Sequence, residues 1–232
     1  MGEMVEFKSN GDTARGYLAV PSSGSGPGVI VVQEWWGLNP QIKGVADRLA
    51  GEGFVALAPD LYRGELAQHD EMDKAGQLMT SLPMDRAARD MSGAVDYLAG
   101  HTATTGDGIG AIGFCMGGGL VLVLGTLRPD RIKAVVPFYG VVGFDDDNAP
   151  DWSKLEAAVQ GHYAANDDFF PVTKAQALEA GLKGLAKDAT VYVYPNTGHA
   201  FANENDALGT YDKAAADQAY ERALSFLHAE LG

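Results

Sequence analysis

The chain of 232 residues is 46% hydrophobic and 21% charged, which is ordinary for a packed globular protein. Its formal net charge of −14 would repel polyanions, so we expect neither nucleic acid nor an anionic membrane surface as a partner. The single cysteine excludes an internal disulfide and a zinc site built from several cysteines. The amino terminus does not resemble a signal peptide and no apolar run is long enough to span a bilayer, so we expect a cytoplasmic protein.

Apolar runs bounded by turn residues predict strands along the chain. We expect a hairpin over 6–21 that turns at Asn10 and Gly11. Further strands are predicted over 28–34, 53–60, 108–114, 132–140, 157–167 and 190–196. Most of these runs are continuously apolar, which is typical of strands covered on both faces of a mainly parallel sheet.

Helical patterns alternate with these strands, over 39–53, 84–100, 116–127, 172–188 and 211–231. The first has Asn39 as a candidate N-cap and Pro40 at the first helical position. The third is apolar all round, so we expect it to be buried. The alternation predicts an α/β fold in a single domain over 1–232, with a doubly wound, mainly parallel sheet of about eight strands and helices on both faces. Ligands of such sheets bind at the carboxyl ends of the strands.

Cys115 lies between a predicted strand and a predicted helix, in the sequence Gly113-Phe114-Cys115-Met116-Gly117. A Gly-x-nucleophile-x-Gly turn in this context is a nucleophile elbow, where larger side chains at the glycine positions would collide with the strand and helix. The nearby helix amino terminus should favour the thiolate. Free cysteine is commonly an inert core residue, but the glycine spacing favours a nucleophile here.

A cysteine nucleophile needs a base and an acid that orients the base. His199 follows the last predicted strand and is the candidate base, whereas His162 lies within a strand and is interpreted as a core histidine. We expect no chemical role for His69, His101 or His228.

Asp167 follows the penultimate predicted strand and is the candidate acid, because the chain order nucleophile, acid, histidine is that of α/β-hydrolases. Asp168 should point elsewhere, and the acidic run over 145–147 is interpreted as a solvated loop.

Five motifs together resemble the dienelactone hydrolase family of α/β-hydrolases, and the likeness covers nearly the whole chain. The motifs are VVQEWWGLN (31–39), ALAPDLYRG (56–64), GFCMGG (113–118), NDDFFP (166–171) and GHAFA (198–202). The resemblance implies the α/β-hydrolase fold, with Cys115 as nucleophile, His199 as base and Asp167 as its orienting acid. It implies an enzyme that acts on carboxylic ester bonds through an acyl-enzyme intermediate.

The resemblance also implies that Glu34 reaches the thiol and helps to deprotonate it, although a strand-end carboxylate could instead face water. A buried charge without a function would be costly there, which favours the first interpretation. The backbone N–H groups of Trp35 and Met116 are expected to form the oxyanion hole. Trp36 is a candidate wall of the substrate pocket, and buried packing accounts for it equally well.

The positions that bind the substrate in the family carry different residues in this chain. Members of the family hold a substrate carboxylate with two arginines, and the corresponding positions here carry Met72, with Lys74 nearby, and Asn203. An aromatic pair of the family pocket is replaced by Gly76 and Met79. We therefore expect weak activity on dienelactone and a preference for a neutral ester or lactone, with Met79 and Asn203 in the pocket.

No motif predicts a metal site or a cofactor, and a small-molecule ester or lactone is the expected partner. A monomer is expected, with a homodimer as the alternative. Two other functions stay open: a non-catalytic ligand or redox sensor that uses Cys115, and a thioesterase or peptidase on the same fold.

Overall fold

A computed structural model describes residues 2–9, 11–144 and 149–232. Asn10 of the expected hairpin turn and the acidic run over 145–147 lie outside the described residues. Within the described part of the chain, eight strands form one sheet. They are β1 (Glu3–Ser9), β2 (Asp12–Ala19), β3 (Gly26–Val32), β4 (Val55–Pro59), β5 (Thr104–Phe114), β6 (Ile132–Phe138), β7 (Ala158–Ala164) and β8 (Ala189–Tyr194).

The order of strands across the sheet is β1-β2-β4-β3-β5-β6-β7-β8. β1 pairs with β2, and β2 with β4, in antiparallel fashion, while the remaining neighbours pair in parallel. The expected α/β fold with a doubly wound, mainly parallel sheet is therefore confirmed. Because β3 to β8 run in one direction, the residues that follow them gather at one edge of the sheet.

Helices cover both faces of the sheet. Residues of α1 and α6 join the apolar core on one face, and those of α3, α4 and α5 join the core on the other. The helices described are α1 (Pro40–Gly51), α2 (Met72–Thr80), α3 (Met84–Ala99), α4 (Met116–Leu127), α5 (Val172–Gly184) and α6 (Lys213–Leu231), with a short 3-10 helix over Trp152–Lys154. In the described ranges, none of these helices is long and apolar enough to cross a bilayer.

Local signals explain how two of the helices form. Asn39 caps α1 as expected, since its Oδ1 atom accepts a hydrogen bond from the backbone N–H of Ile42 at 3.0 Å. α4 is buried along most of its length, in keeping with its uniformly apolar sequence. α4 follows β5 directly, so Cys115 lies at the strand-to-helix junction.

Candidate active site

Cys115 adopts the strained backbone conformation of a nucleophile elbow, with φ 53° and ψ −120°. Its N–H donates to the carbonyl of Phe138, the last residue of the neighbouring strand β6, at 3.0 Å. Glycines allow the close packing around this turn. A Cβ atom at Gly113 would collide with the backbone of Gly117, and one at Gly117 with the carbonyls at the end of β3. The elbow thus holds the cysteine at the edge of the sheet, facing a cavity.

His199 and Asp167 form a buried hydrogen-bonded pair in the loops after β8 and β7. The Nδ1 atom of His199 lies 2.8 Å from Oδ2 of Asp167, and both side chains are almost fully buried. Oδ1 of Asp167 accepts the backbone N–H groups of Phe169 and Phe170, each at 2.8 Å. The carboxylate is therefore fixed, and it leaves Nε2 of the imidazole free to act on a substrate. The neighbouring Asp168 is exposed.

The Glu34 side chain is buried beside this pair, two residues beyond the end of β3, and is only 2% exposed. Its Oε1 atom accepts the hydroxyl of Tyr139 at 3.2 Å, and its Oε2 atom accepts the side-chain amide of Asn203 at 2.7 Å. Burial raises the pKa of Glu34, while His199 and the two hydrogen bonds oppose the rise. The carboxyl group therefore does not face bulk water.

The Cys115 thiol differs from the sequence-based expectation of a favoured thiolate. Burial and the neighbouring Glu34 raise the pKa of Cys115 well above its ordinary value. The backbone N–H groups of Met116 and Trp35 are directed at the sulfur and lower this pKa, but they do not outweigh burial. The helix amino terminus alone thus does not set the pKa of this half-buried thiol, because the surrounding protein groups disfavour the thiolate.

A cavity of about 210 Å³ joins these groups, and it brings together every residue that the sequence nominated for the pocket. Trp36 is only 2% exposed and also lines the cavity, so its side chain is both packed in the protein and part of the cavity wall. Met79, at the end of α2, lies at the outer rim. Asn203 lines the cavity, with its amide directed at Glu34. The lining consists of Glu34, Trp35, Trp36, Met79, Cys115, Phe169, Phe170, His199, Ala200, Asn203, Asp206, Ala207, Leu208 and Thr210.

Three aromatic residues that surround His199 were not named as candidates from the sequence. Tyr139 follows β6 with φ 36°, and its ring packs edge-on against His199 at a centroid distance of 5.3 Å. Phe169 and Phe170 place their rings 4.8 and 5.6 Å from that imidazole. The aromatic pair in NDDFFP and the position of Tyr139 directly after a strand were the available signals.

His162 is a core residue, as expected. It is fully buried in β7, stacks on Phe138 and lies 2.9 Å from the hydroxyl of Tyr194 through Nδ1. Burial lowers the pKa of His162 to about 3, so its imidazole is neutral at physiological pH. Over the residues that the structure describes, no group of three or more His, Cys, Asp or Glu side chains could hold a metal ion.

The model of the dienelactone hydrolase family matches residues 14–231. "Protein usf" of Aquifex pyrophilus is 39% identical over 97% of both chains. A protein of Aquifex aeolicus (strain VF5) named "Putative carboxymethylenebutenolidase" is 36% identical, again over 97% of each chain.

A crystal structure from Klebsiella pneumoniae subsp. pneumoniae MGH 78578, named "Putative Dienelactone Hydrolase", superimposes with a TM-score of 0.82 at 28% identity. The superposition covers 98% of this chain and 99% of the other. The α/β-hydrolase fold implied by the sequence motifs is thereby confirmed. The chain belongs to the dienelactone hydrolase family, which acts on ester and lactone bonds.

Proposed function

We propose that this chain hydrolyses a neutral ester or lactone through a thioester formed on Cys115. The observation that carries the proposal is that His199 lines the same cavity as a cysteine held in an elbow, with Asp167 hydrogen-bonded to the imidazole at 2.8 Å. A nucleophile and a base on one cavity, with an acid that orients the base, are the parts that acyl transfer requires.

The thiolate is the nucleophile, so the thiol must lose its proton before it attacks. A base is needed for this step because burial raises the pKa of Cys115. Glu34 is the base proposed for this step, since it is the carboxylate whose charge acts most strongly on the sulfur. The proton then passes from Glu34 to His199, which delivers it to the alkoxide that leaves when the tetrahedral intermediate collapses. The result is a thioester on Cys115 and a free alcohol, or an open hydroxy acyl chain in the case of a lactone.

Hydrolysis of the thioester uses the same imidazole. His199 takes a proton from water, the hydroxide attacks the thioester carbonyl, and the thiolate leaves and recovers the proton from His199. Asp167 stabilises the imidazolium that forms in each half of the reaction. The N–H groups of Trp35 and Met116, which point at the sulfur, are the proposed oxyanion donors, and one such donor typically contributes about 10²–10³ in rate.

The lining of the cavity supports a neutral substrate. Among its described residues, none is Lys or Arg, whereas Glu34 and Asp206 are acidic. An anionic group would enter without a positively charged partner and would lose its hydration. Aromatic and aliphatic side chains such as Trp35, Phe170 and Leu208 favour an apolar acyl or alcohol group instead.

Two assays on one sample test the proposal against a sensor that uses the same cysteine. The first measures hydrolysis of p-nitrophenyl acetate, and the second the alkylation of Cys115 by iodoacetamide at neutral pH. We expect steady turnover that is lost in step with alkylation. Alkylation of a protein that hydrolyses no ester would contradict the proposal and favour the sensor.

A further inference from the structure

The Glu34 carboxyl group is held by two neutral donors from distant parts of the chain. The Tyr139 hydroxyl reaches Oε1 from the end of β6, and the Asn203 amide reaches Oε2 from the loop that follows His199. Each carboxyl oxygen thus has one hydrogen bond and retains capacity for a proton. This arrangement fixes the orientation of a buried carboxyl group without neutralising its charge.

Asn203 has its own orientation fixed by the loop. Its side-chain Oδ1 atom accepts the backbone N–H of Asn205 at 3.0 Å. The backbone N–H of Asn203 donates to the carbonyl of Ala200 at 2.9 Å. Rotating the side-chain amide by half a turn would place its oxygen against the Glu34 carboxylate and its NH₂ group against the backbone N–H of Asn205. Both hydrogen bonds would be lost in a residue that is 3% exposed, so the amide always donates to Glu34.

We infer that Asn203, together with Tyr139, is a positioning residue that holds Glu34 against the Cys115 thiol, so that the site accepts the thiol proton without help from a charged substrate. In this step the S–H bond breaks, the proton goes to a Glu34 oxygen and the electron pair stays on sulfur, next to the N–H groups of Met116 and Trp35. The inference rests on the proposed function, because it explains how a site for neutral substrates activates its own nucleophile.

The charge state of Glu34 then controls the acylation step. The titratable groups that face it are Cys115 at the elbow, His199 after β8, Tyr139 after β6 and Tyr220 on α6. Hydrogen bonds from Asn203 and Tyr139 lower the pKa of Glu34 against the effect of burial. Removing either donor should therefore raise that pKa, and the acid limb of the acylation rate should move to higher pH.

The experiment measures the burst rate with p-nitrophenyl acetate and the alkylation rate of Cys115 with iodoacetamide, each as a function of pH. For Asn203→Ala we expect both rates at pH 7 to fall about tenfold and the acid limb to move to higher pH. Asn203→Asp should move the limb further, because it replaces the donor by a second carboxylate. Gln218→Ala, which removes an exposed amide on α6, should match the parent protein.

Tyr139→Phe removes the other donor with almost no change of shape, and it keeps the test decisive if the Asn203 variants do not fold. We expect it to move the acid limb in the same direction. Folded variants with a lower Tm and an unmoved limb would show that these residues only pack, and would overturn the inference. Loss of all turnover in Cys115→Ala with an unmoved limb in Tyr139→Phe would overturn the inference alone, whereas turnover retained in Cys115→Ala would overturn the proposed function.

Discussion

Asp167 holds the imidazole of His199 through a hydrogen bond of 2.8 Å, and its other oxygen is held by two backbone N–H groups. The backbone of its own turn therefore orients the carboxylate towards the histidine. Asp167 is buried and accepts three hydrogen bonds. A substitution that keeps the size and shape of the side chain therefore tests its role as the orienting group.

Asp167→Asn should lower kcat for a neutral ester by about 10³–10⁴, because an amide neither stabilises the imidazolium nor fixes the active tautomer. Asp168→Asn is the matched control, since this neighbouring carboxylate is exposed. We expect the control to keep its activity within about twofold. Equal losses in the two variants, measured by steady-state kinetics on p-nitrophenyl acetate, would contradict the assignment.

Gly117→Ala tests the packing of the elbow. A Cβ atom at this position would collide with the carbonyls of Val32 and Gln33, so we expect a loss of about 1–3 kcal/mol in the free energy of unfolding. Gly44→Ala in α1 has open space around the new methyl group and should stabilise the protein by about 0.5–1 kcal/mol. Urea denaturation of both variants measures the difference, and a neutral effect of Gly117→Ala would contradict the close packing.

Glu34→Gln should stabilise the fold at alkaline pH while it lowers activity. Burial raises the pKa of Glu34 in the folded protein, so the folded state binds a proton more tightly than the unfolded chain does. That contribution to stability is present below the ordinary value of 4.5 and is lost as the pH rises through the folded pKa. The gain in Tm from Glu34→Gln should therefore be larger at pH 8 than at pH 4.5, and a gain that does not depend on pH would contradict the pKa shift.

The charge of the substrate should decide its acceptance. A dienelactone with a free carboxylate and its methyl ester form a matched pair that differs chiefly in this charge. Because none of the described cavity residues is Lys or Arg, we expect a higher kcat/KM for the ester, at least tenfold. A preference for the carboxylate would show that a cation from elsewhere in the chain reaches the site.

The sequence alone predicted those features of the fold that depend on a local pattern of residues. The glycine spacing around Cys115 predicted the elbow, and apolar runs with their turns predicted each of the strands within a few residues. α2 was not predicted, because it has nine residues, carries Gly76 in its interior and has no capping side chain, so it lacks the local signals of a helix. Its exposed residue Met79 was nevertheless nominated, through the family pattern.

Contacts and pKa shifts that depend on tertiary packing could not be predicted from the sequence. Glu34 and Tyr139 are 105 residues apart, and their contact follows from the order of β3, β5 and β6 in the sheet. Asn203 was assigned to the substrate pocket from its place in the family pattern, whereas its amide is directed at Glu34. The raised pKa of Cys115 likewise comes from burial, which the helix amino terminus in the sequence does not reveal.

The most direct test of the account is to trap the acyl-enzyme. His199→Ala should slow hydrolysis of the thioester more than its formation. Glu34 still takes the thiol proton and p-nitrophenolate leaves without being protonated, whereas attack by water needs His199 as the base. After reaction of this variant with p-nitrophenyl acetate, mass spectrometry of peptides should find the acetyl group on the peptide that contains Cys115, and Cys115→Ala should carry none. Turnover of the ester by Cys115→Ala, or acetylation at another side chain, would contradict the account.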